Sequence, residues 1–249
     1  MIERGKRPRK IRIDELLTER GLAETRSRAR ALVMSGNVLV GGARVDKAGK
    51  TVDPDAEITI KQGLPYVSRG GVKLAGFLDA SEMDVKGLTA LDVGSSTGGF
   101  TDCLLKRGVK RVYCVDVGKG IIDWKLRGDE RVRLLEGRNI RHLAPEEIGE
   151  KVDMAVIDVS FISLEKVLPQ VKGFLKEGAR VLALVKPQFE AGRKDVGKGG
   201  IVRDPEIQRR AVERVVNCSK GLGYTFISSL ESPITGRGGN REFWVCLKA

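Results

Sequence analysis

From about residue 71 onward, short apolar runs alternate with helical stretches, and this alternation restricts the fold more than any other feature of the chain. The runs are Ala90–Gly94, Arg111–Asp116, Val132–Leu135, Met154–Asp158, Arg180–Lys186, Tyr224–Ser229 and Glu242–Leu247. Helical segments fall between most of them, notably Leu164–Leu175 and Pro205–Lys220. Parallel strands need a crossover connection, and helices supply it, so the pattern predicts a mostly parallel seven-stranded sheet with helices on both faces. Only a loop separates the last two runs, so they are expected to form an antiparallel hairpin at one edge.

In an open sheet of this kind ligands bind outside the carboxyl ends of the strands. Asp158 and Lys186 each end an apolar run, so they should meet at one site. Lys73 opens a helical stretch over 71–78, and Glu242 precedes the last strand. Two lysines and two carboxylates in such places read as acid/base machinery. A structural ion-pair cluster is the alternative reading of the same four residues.

The segment Asp92-Val93-Gly94-Ser95-Ser96-Thr97-Gly98-Gly99-Phe100 follows a strand and opens a helix. Its glycines let the backbone approach a ligand closely. The dinucleotide fingerprint is absent, because the glycines fall at 94, 98 and 99 and position 96 is Ser. Asp116 ends the second strand, where an acidic side chain can hold ribose hydroxyls. This combination resembles the cofactor site of class I S-adenosylmethionine-dependent methyltransferases. The resemblance implies a Rossmann-like domain and S-adenosyl-L-methionine as cofactor. It also implies contacts from Asp92, Gly94, Ser95, Ser96, Thr97, Gly98, Gly99, Phe100, Asp116 and Asp158. Glu136 and Asn139, after the third strand, are expected near the adenine edge.

Residues 11–60 follow another pattern. Ile13, Leu16 and Leu17 recur at helical spacing before Gly21, and a second helix carries Ala29, Leu32 and Val33 before Gly36. Asn37–Val40, Gly41-Gly42 and Ala43–Val45 read as strand, tight turn and strand, and Glu57–Ile60 closes the unit. Arg26 and Arg30 share a helix face, with Arg28 nearby. The stretch Ser27–Val33 followed by Gly36–Gly42 resembles the S4 RNA-binding domain, a small α+β fold. Arginines on a rigid helix suit RNA phosphates; a solvated basic face is the plainer alternative. The expected organisation is a basic arm over 1–10, an S4-like domain over 11–62, a linker over 63–70 and a methyltransferase domain over 71–249.

The acceptor atom is narrowed by what is missing. Enzymes acting on exocyclic base nitrogens typically carry Asp/Asn-Pro-Pro-aromatic after the fourth strand, where this chain reads Asp158-Val159-Ser160-Phe161. Pyrimidine C5 methylation needs a cysteine nucleophile, commonly in a Pro-Cys or Thr-Cys pair, and neither pair occurs. Lys73, Asp158, Lys186 and Glu242 match in order and context the Lys-Asp-Lys-Glu tetrad of FtsJ-like ribose 2′-O-methyltransferases. With the S4-like block in front, the chain resembles the TlyA (hemolysin A) family from about residue 9 to its end. The likeness is carried by Ser68–Leu74, Asp92–Thr101, Lys186-Pro187-Gln188-Phe189-Glu190 and 236–243. It implies methyl transfer to a ribose 2′-oxygen of ribosomal RNA, classically a cytidine, with ribosomal RNA or a ribosomal subunit as partner.

A ribose hydroxyl is a poor nucleophile until its proton is drawn away. Lys186 is the expected base. An ordinary lysine has a pKa of about 10.4 and holds its proton at neutral pH, so a lysine base demands a dry site and like charge nearby. Asp158 opposes that demand, and its expected role is orientation of a lysine and the substrate; Glu242 is expected to position Lys73. The sulfonium charge is neutralised in transfer, so no metal is required. The Gly-rich charged stretch between Gln188 and Asp204, with Arg193 and Lys194, reads as an RNA-contact loop, with a plain solvated loop as the alternative; Arg69 is also expected to contact RNA.

Charge supports a polyanionic partner. The chain carries a net +12 with a sequence pI near 9.7. Residues 1–69 hold 15 Lys and Arg against 9 Asp and Glu, a density well above that of the remainder. No apolar run approaches the roughly 18 residues of a membrane span, and no signal core follows the basic start, so a cytoplasmic protein with no membrane partner is expected. Cys103, Cys114, Cys218 and Cys246 lack metal-site spacing and read as small buried hydrophobes; His142 reads as structural. Three rival functions remain: a non-catalytic ribosome-assembly factor, a membrane-lytic protein suggested by the hemolysin label, and a small-molecule methyltransferase. Intact lysines and carboxylates argue against the first, the lack of an apolar span against the second, and the S4-like block against the third.

Overall fold

The computed structural model describes residues 10–34, 36–60, 64–236 and 238–249. Nearly all of the expected basic arm, the last two positions of the expected S4-like domain (61–62), the first of the expected linker (63), Ser35 and Arg237 lie outside them. The chain divides into two units, Met1–Pro65 and Tyr66–Ala249.

The first unit runs β1 (Ile11–Arg12), α1 (Ile13–Glu19), α2 (Arg26–Met34), β2 (Val38–Val40), β3 (Ala43–Val45), β4 (Thr51–Val52) and β5 (Ile58–Ile60). β1 pairs with β4, and β2 lies between β3 and β5, all antiparallel. Gly41 and Gly42 take φ of 55° and 78°, as a two-residue hairpin turn with the twist of its strands requires. The helices bury Ile13, Leu16, Leu17, Ala29 and Val33 with Val38, Val45 and Val52. Asp14 is wholly buried on α1. Arg12 donates to both its oxygens, at 3.0 and 2.8 Å, and this holds the carboxyl below the usual carboxylate range.

The second unit begins with α3 (Arg69–Ala80), whose first turn is capped by Ser68 accepting from the Gly70 amide at 3.3 Å. Then follow β6 (Thr89–Val93), α4 (Gly99–Lys106), β7 (Arg111–Asp116), α5 (Trp124–Arg127), β8 (Val132–Glu136) and β9 (Val152–Ile157). α6 (Leu168–Lys172), β10 (Leu175–Val185), α7 (Pro187–Glu190), α8 (Pro205–Gly221), β11 (Thr225–Glu231) and β12 (Phe243–Lys248) complete it. The sheet order is β11-β12-β10-β9-β6-β7-β8. Five neighbours from β10 to β8 are parallel, and β12 is antiparallel to both β10 and β11. The seven expected strands are all present, and the last two pair as the edge hairpin.

Alternate residues of each central strand feed two cores. Leu91, Val93, Ala155, Ile157, Val181 and Ala183 pack on one face. Ala90, Met154, Val156, Leu182 and Leu184 pack on the other, under α3 and α4, with Trp244. Sequence order along the sheet reverses between β6 and β9, which makes their carboxyl ends the switch point where a crevice opens.

One expected helix is corrected. Leu164–Leu175 is not continuous: a 3-10 turn at Leu164–Lys166 gives way to α6, and Leu175 already belongs to β10. Pro169 has no amide hydrogen to bond back into a preceding turn, so it is tolerated only in the first turn of a new helix. β10 starts five residues earlier than expected because its pairing with β9 shifts register between Leu175 and Arg180, around Gly178 at φ 75°. Cys103, Cys114 and Cys246 are buried and Cys218 half-buried. Among the described residues, no helix is long and apolar enough to cross a membrane.

Candidate active site

β6 delivers the chain to Gly94, at φ 82°. A Cβ there would lie 2.4 Å from the Asp158 carbonyl oxygen, so the ends of β6 and β9 approach as closely as only glycine permits. The Gly94 amide donates to Val115 O at 2.8 Å. At the end of β7, Asp116 accepts from the amides of Ser96 and Gly118, at 2.8 and 2.7 Å. Gly94, Ser96, Asp116, Asn139 and Asp158 line one cleft of about 970 Å³. Val117 and Ile121 form part of its apolar wall.

The other residues expected at the cofactor sit behind this surface. Gly98, at φ 91°, caps α4, and its missing side chain makes room for Leu126 and Ile122. A Cβ on Gly99 would meet Ser68 Oγ at 2.2 Å and the Gly71 amide at 2.9 Å; that glycine lets α3 and α4 touch. The Thr97 carbonyl accepts from the Asp123 amide, and Ser95 is buried. Phe100 lies in the core, its ring centroid 5.3 Å from that of Trp244. Glu136 accepts from Arg127 at 2.6 Å and from the Gly120 amide at 2.9 Å. Arg127 holds this carboxyl below its usual range. Asn139 lines the cleft, but its side-chain oxygen caps a short turn by accepting from the Arg141 amide.

Asp92 is wholly buried. One carboxyl oxygen accepts from the amide and hydroxyl of Thr101, at 3.1 and 2.6 Å. The other has no partner among the described residues. Burial is the main cause that pushes this carboxyl up to about 7, with the Thr101 hydroxyl pulling the other way.

The two lysines and two acids form two ion pairs. Lys73, on α3, lies 2.5 Å from Glu242, and both are buried. Lys186 lies 2.5 Å from Asp158 Oδ1 and donates to Ser160 Oγ at 3.0 Å. The β10–β12 register pairs Val185 with Phe243, so Lys186 and Glu242 leave adjacent strands at the same level. Next to Asp158, Phe161 is 91% exposed, holds a left-handed φ of 63°, and has its ring centroid 5.1 Å from that of Phe189.

Ser160, Phe161, Phe189 and Arg141 were not anticipated as site residues, although all four line the cleft or touch Lys186. Position offered a signal for three of them: Ser160 and Phe161 follow Asp158 closely, and Phe189 follows Lys186. Of the residues expected to meet RNA, Arg26, Arg28 and Arg30 are exposed on α2, but Arg26 Nε is 3.6 Å from Asp14. Arg69 donates to the Thr235 carbonyl. Lys194 is exposed, and the Arg193 side chain lies outside the described residues.

Two ion pairs thus lie beside a cleft at the switch point of a β11-β12-β10-β9-β6-β7-β8 sheet. The FtsJ-like methyltransferase profile matches residues 66–249, and the S4 domain profile matches residues 11–58. The chain belongs to the FtsJ-like methyltransferase family. A relative of this FtsJ-like chain, YqxC of Bacillus subtilis (strain 168), carries a provisional rRNA methyltransferase designation. It is 48% identical over 237 residues, covering 94% of this chain and 84% of its own length. A protein of Mycobacterium tuberculosis named 16S/23S rRNA (cytidine-2′-O)-methyltransferase TlyA is 42% identical over 242 residues, covering 96% of this chain and 90% of its own. Among solved structures, a Streptococcus thermophilus protein with a provisional hemolysin designation superposes with a TM-score of 0.75 at 43% identity. That match covers 98% of this chain and 89% of the other.

Proposed function

We propose that this protein transfers a methyl group from S-adenosyl-L-methionine to the ribose 2′-oxygen of a cytidine in ribosomal RNA, and that its S4 unit helps hold the RNA. The observation that carries the reading is the pairing of Lys186 with Asp158 at the carboxyl ends of β10 and β9, with Asp158 on the wall of the cleft and Lys186 buried behind it. The names of the TlyA and YqxC relatives support the substrate class.

The cleft fits the cofactor on two observations: Asp116 is oriented by two amides at the end of β7, and Val117 and Ile121 offer an apolar wall. Asp116 would hold the ribose hydroxyls, and Val117 with Ile121 would flank the adenine. When bound, the cofactor supplies an electrophilic methyl on a sulfonium. Transfer of that methyl to the 2′-oxygen would leave the cofactor as the neutral thioether and the ribose with a 2′-methoxy group. Lys186 takes the hydroxyl proton, and Asp158 at 2.5 Å stabilises the ammonium so formed. Ser160 fixes the direction of the amine. Glu242 keeps Lys73 in a single place, where its charge faces the developing alkoxide. On the S4 unit, Arg28 and Arg30 are the phosphate ligands, while Arg26 is partly committed to Asp14.

The test is radiolabelled methyl transfer to isolated small and large ribosomal subunits, with calorimetric binding of S-adenosylhomocysteine run beside it. Lys186→Ala is expected to abolish labelling and leave cofactor affinity unchanged. Most of the activity surviving in that variant would refute the role of Lys186. A wild-type protein that binds cofactor but labels neither subunit nor naked ribosomal RNA would refute the reaction.

A further inference from the structure

Two tryptophans occupy opposite environments. Trp244 is wholly buried, whereas Trp124, the first residue of α5, is 76% exposed. Tryptophan is among the most buried residue types on average, so an indole standing in water contributes nothing to the core that would explain it. Its backbone, in contrast, is firmly placed. Asp123 caps α5 by accepting from the Lys125 amide at 2.9 Å, and its own amide donates to the Thr97 carbonyl in the cofactor loop at 3.1 Å. Leu126 is buried against the open side of Gly98, and Arg127 is tied to Glu136. The loop before α5 is fixed as well, with Gly118 O accepting from the Gly137 amide and Glu136 accepting from the Gly120 amide. A rigid pedestal therefore presents a free aromatic face three residues beyond Ile121, which lines the cleft.

The surroundings are cationic. Lys119 and Lys125 are exposed and enter no ion pair among the described residues, and the Lys125 ammonium lies 5.9 Å from the Trp124 ring centroid. An exposed aromatic plane with one ammonium 5.9 Å from its centroid, and a second exposed lysine five residues earlier in the chain, matches what single-stranded RNA offers, a base face next to phosphates. A protein partner of apolar character would gain little from the two charges. We infer that Trp124 is a stacking platform for an unpaired nucleotide of the substrate RNA, beside the mouth of the cleft, with Lys119 and Lys125 taking the adjacent phosphates. This inference rests on the RNA methyltransferase reading and adds a substrate contact to it.

The contrast between the two tryptophans provides a direct readout, because only the exposed indole can be reached by a base. Full-length protein is titrated with a short single-stranded oligocytidylate while tryptophan emission and binding are followed. Stacking should quench the solvent-exposed emission, and blunt RNA duplex, whose base faces are hidden, should quench it less. Trp124→Ala should lose the quench and bind the oligonucleotide about ten-fold more weakly. Trp124→Phe, which keeps a π face, should recover most of that affinity. Both variants should bind S-adenosylhomocysteine like the wild type, which shows that α5 and the cofactor loop are intact. Emission unchanged by saturating oligocytidylate, or equal affinity of the wild type and Trp124→Ala, would overturn the inference. These readouts precede methyl transfer. An intact quench in a wild-type protein that labels no RNA would therefore refute the proposed reaction and leave the contact standing.

Discussion

Removing either member of the Lys73–Glu242 pair should cost far more stability than removing both. The two groups are 8% and 3% exposed and lie 2.5 Å apart. Losing one leaves an uncompensated charge in a dry site, at a cost of about 3–5 kcal/mol. Replacing both by uncharged groups of similar volume removes the stranded charge and is often close to neutral. For a domain of this size about 1 kcal/mol moves Tm by roughly 2–4 °C. Lys73→Met and Glu242→Gln should each lower Tm by about 6 to 20 °C, and the double variant should regain most of the loss. Calorimetry of the four proteins closes the cycle, with an expected coupling of a few kcal/mol. Methyl transfer should fail in Lys73→Met and in the stable double variant, because the charge at Lys73 is gone, and in Glu242→Gln, because nothing holds that charge in place. Single variants within about 0.5 kcal/mol of the wild type would mean a solvated pair, and additive losses would mean no interaction; either result would refute the reasoning.

Asp92 makes stability depend on pH. Its folded-state value of about 7 lies above the ordinary carboxylate value, so the folded state binds the proton more tightly than the unfolded chain. That stabilisation is complete below an unfolded pKa of about 3.9 and is lost as pH rises through about 7, amounting to something on the order of 4 kcal/mol. Asp92→Asn, which can still accept from the Thr101 amide, should be the more stable protein at about pH 8 and flatter between about pH 5 and 8. Parallel slopes for the two proteins in denaturant unfolding would remove Asp92 as the cause. Phe161→Gly should leave stability within about 1 kcal/mol, because relief of the left-handed φ offsets the added chain entropy. Transfer should fall about ten-fold with cofactor affinity kept, as expected for an exposed ring that meets a base or sugar. A stability loss of several kcal/mol would make it a packing residue instead.

The sheet was legible because its strands are nearly continuous apolar runs bounded by glycine and charge, and every run formed a strand. What sequence obscured was local. Leu164–Leu175 has helical composition, but Pro169 divides it, and the strand beyond begins at Leu175 and runs through the polar stretch Lys176-Glu177-Gly178, which has no apolar pattern to mark it. Strand ends placed Asp158 and Lys186 well, since the carboxyl edge of a parallel sheet is a fixed address. Which residues face the cleft was harder to read, because it depends on side-chain partners far along the chain. Phe100 is drawn into the core by Trp244, Glu136 is taken by Arg127, and Arg26 by Asp14. Each has a residue type suited to a site and is occupied elsewhere.

Lys73 and Glu242 are separated by 169 positions, and the strand that brings Glu242 is inserted between β10 and β11, with Trp244 as a fully buried part of the core. Contacts of such separation form late, because the loop must close before the pairing repays it. Until β12 docks, Lys73 has no counter-charge, Trp244 has no pocket filled, and β10 presents a bare edge. Assembly of the site and completion of the sheet are therefore one event in folding.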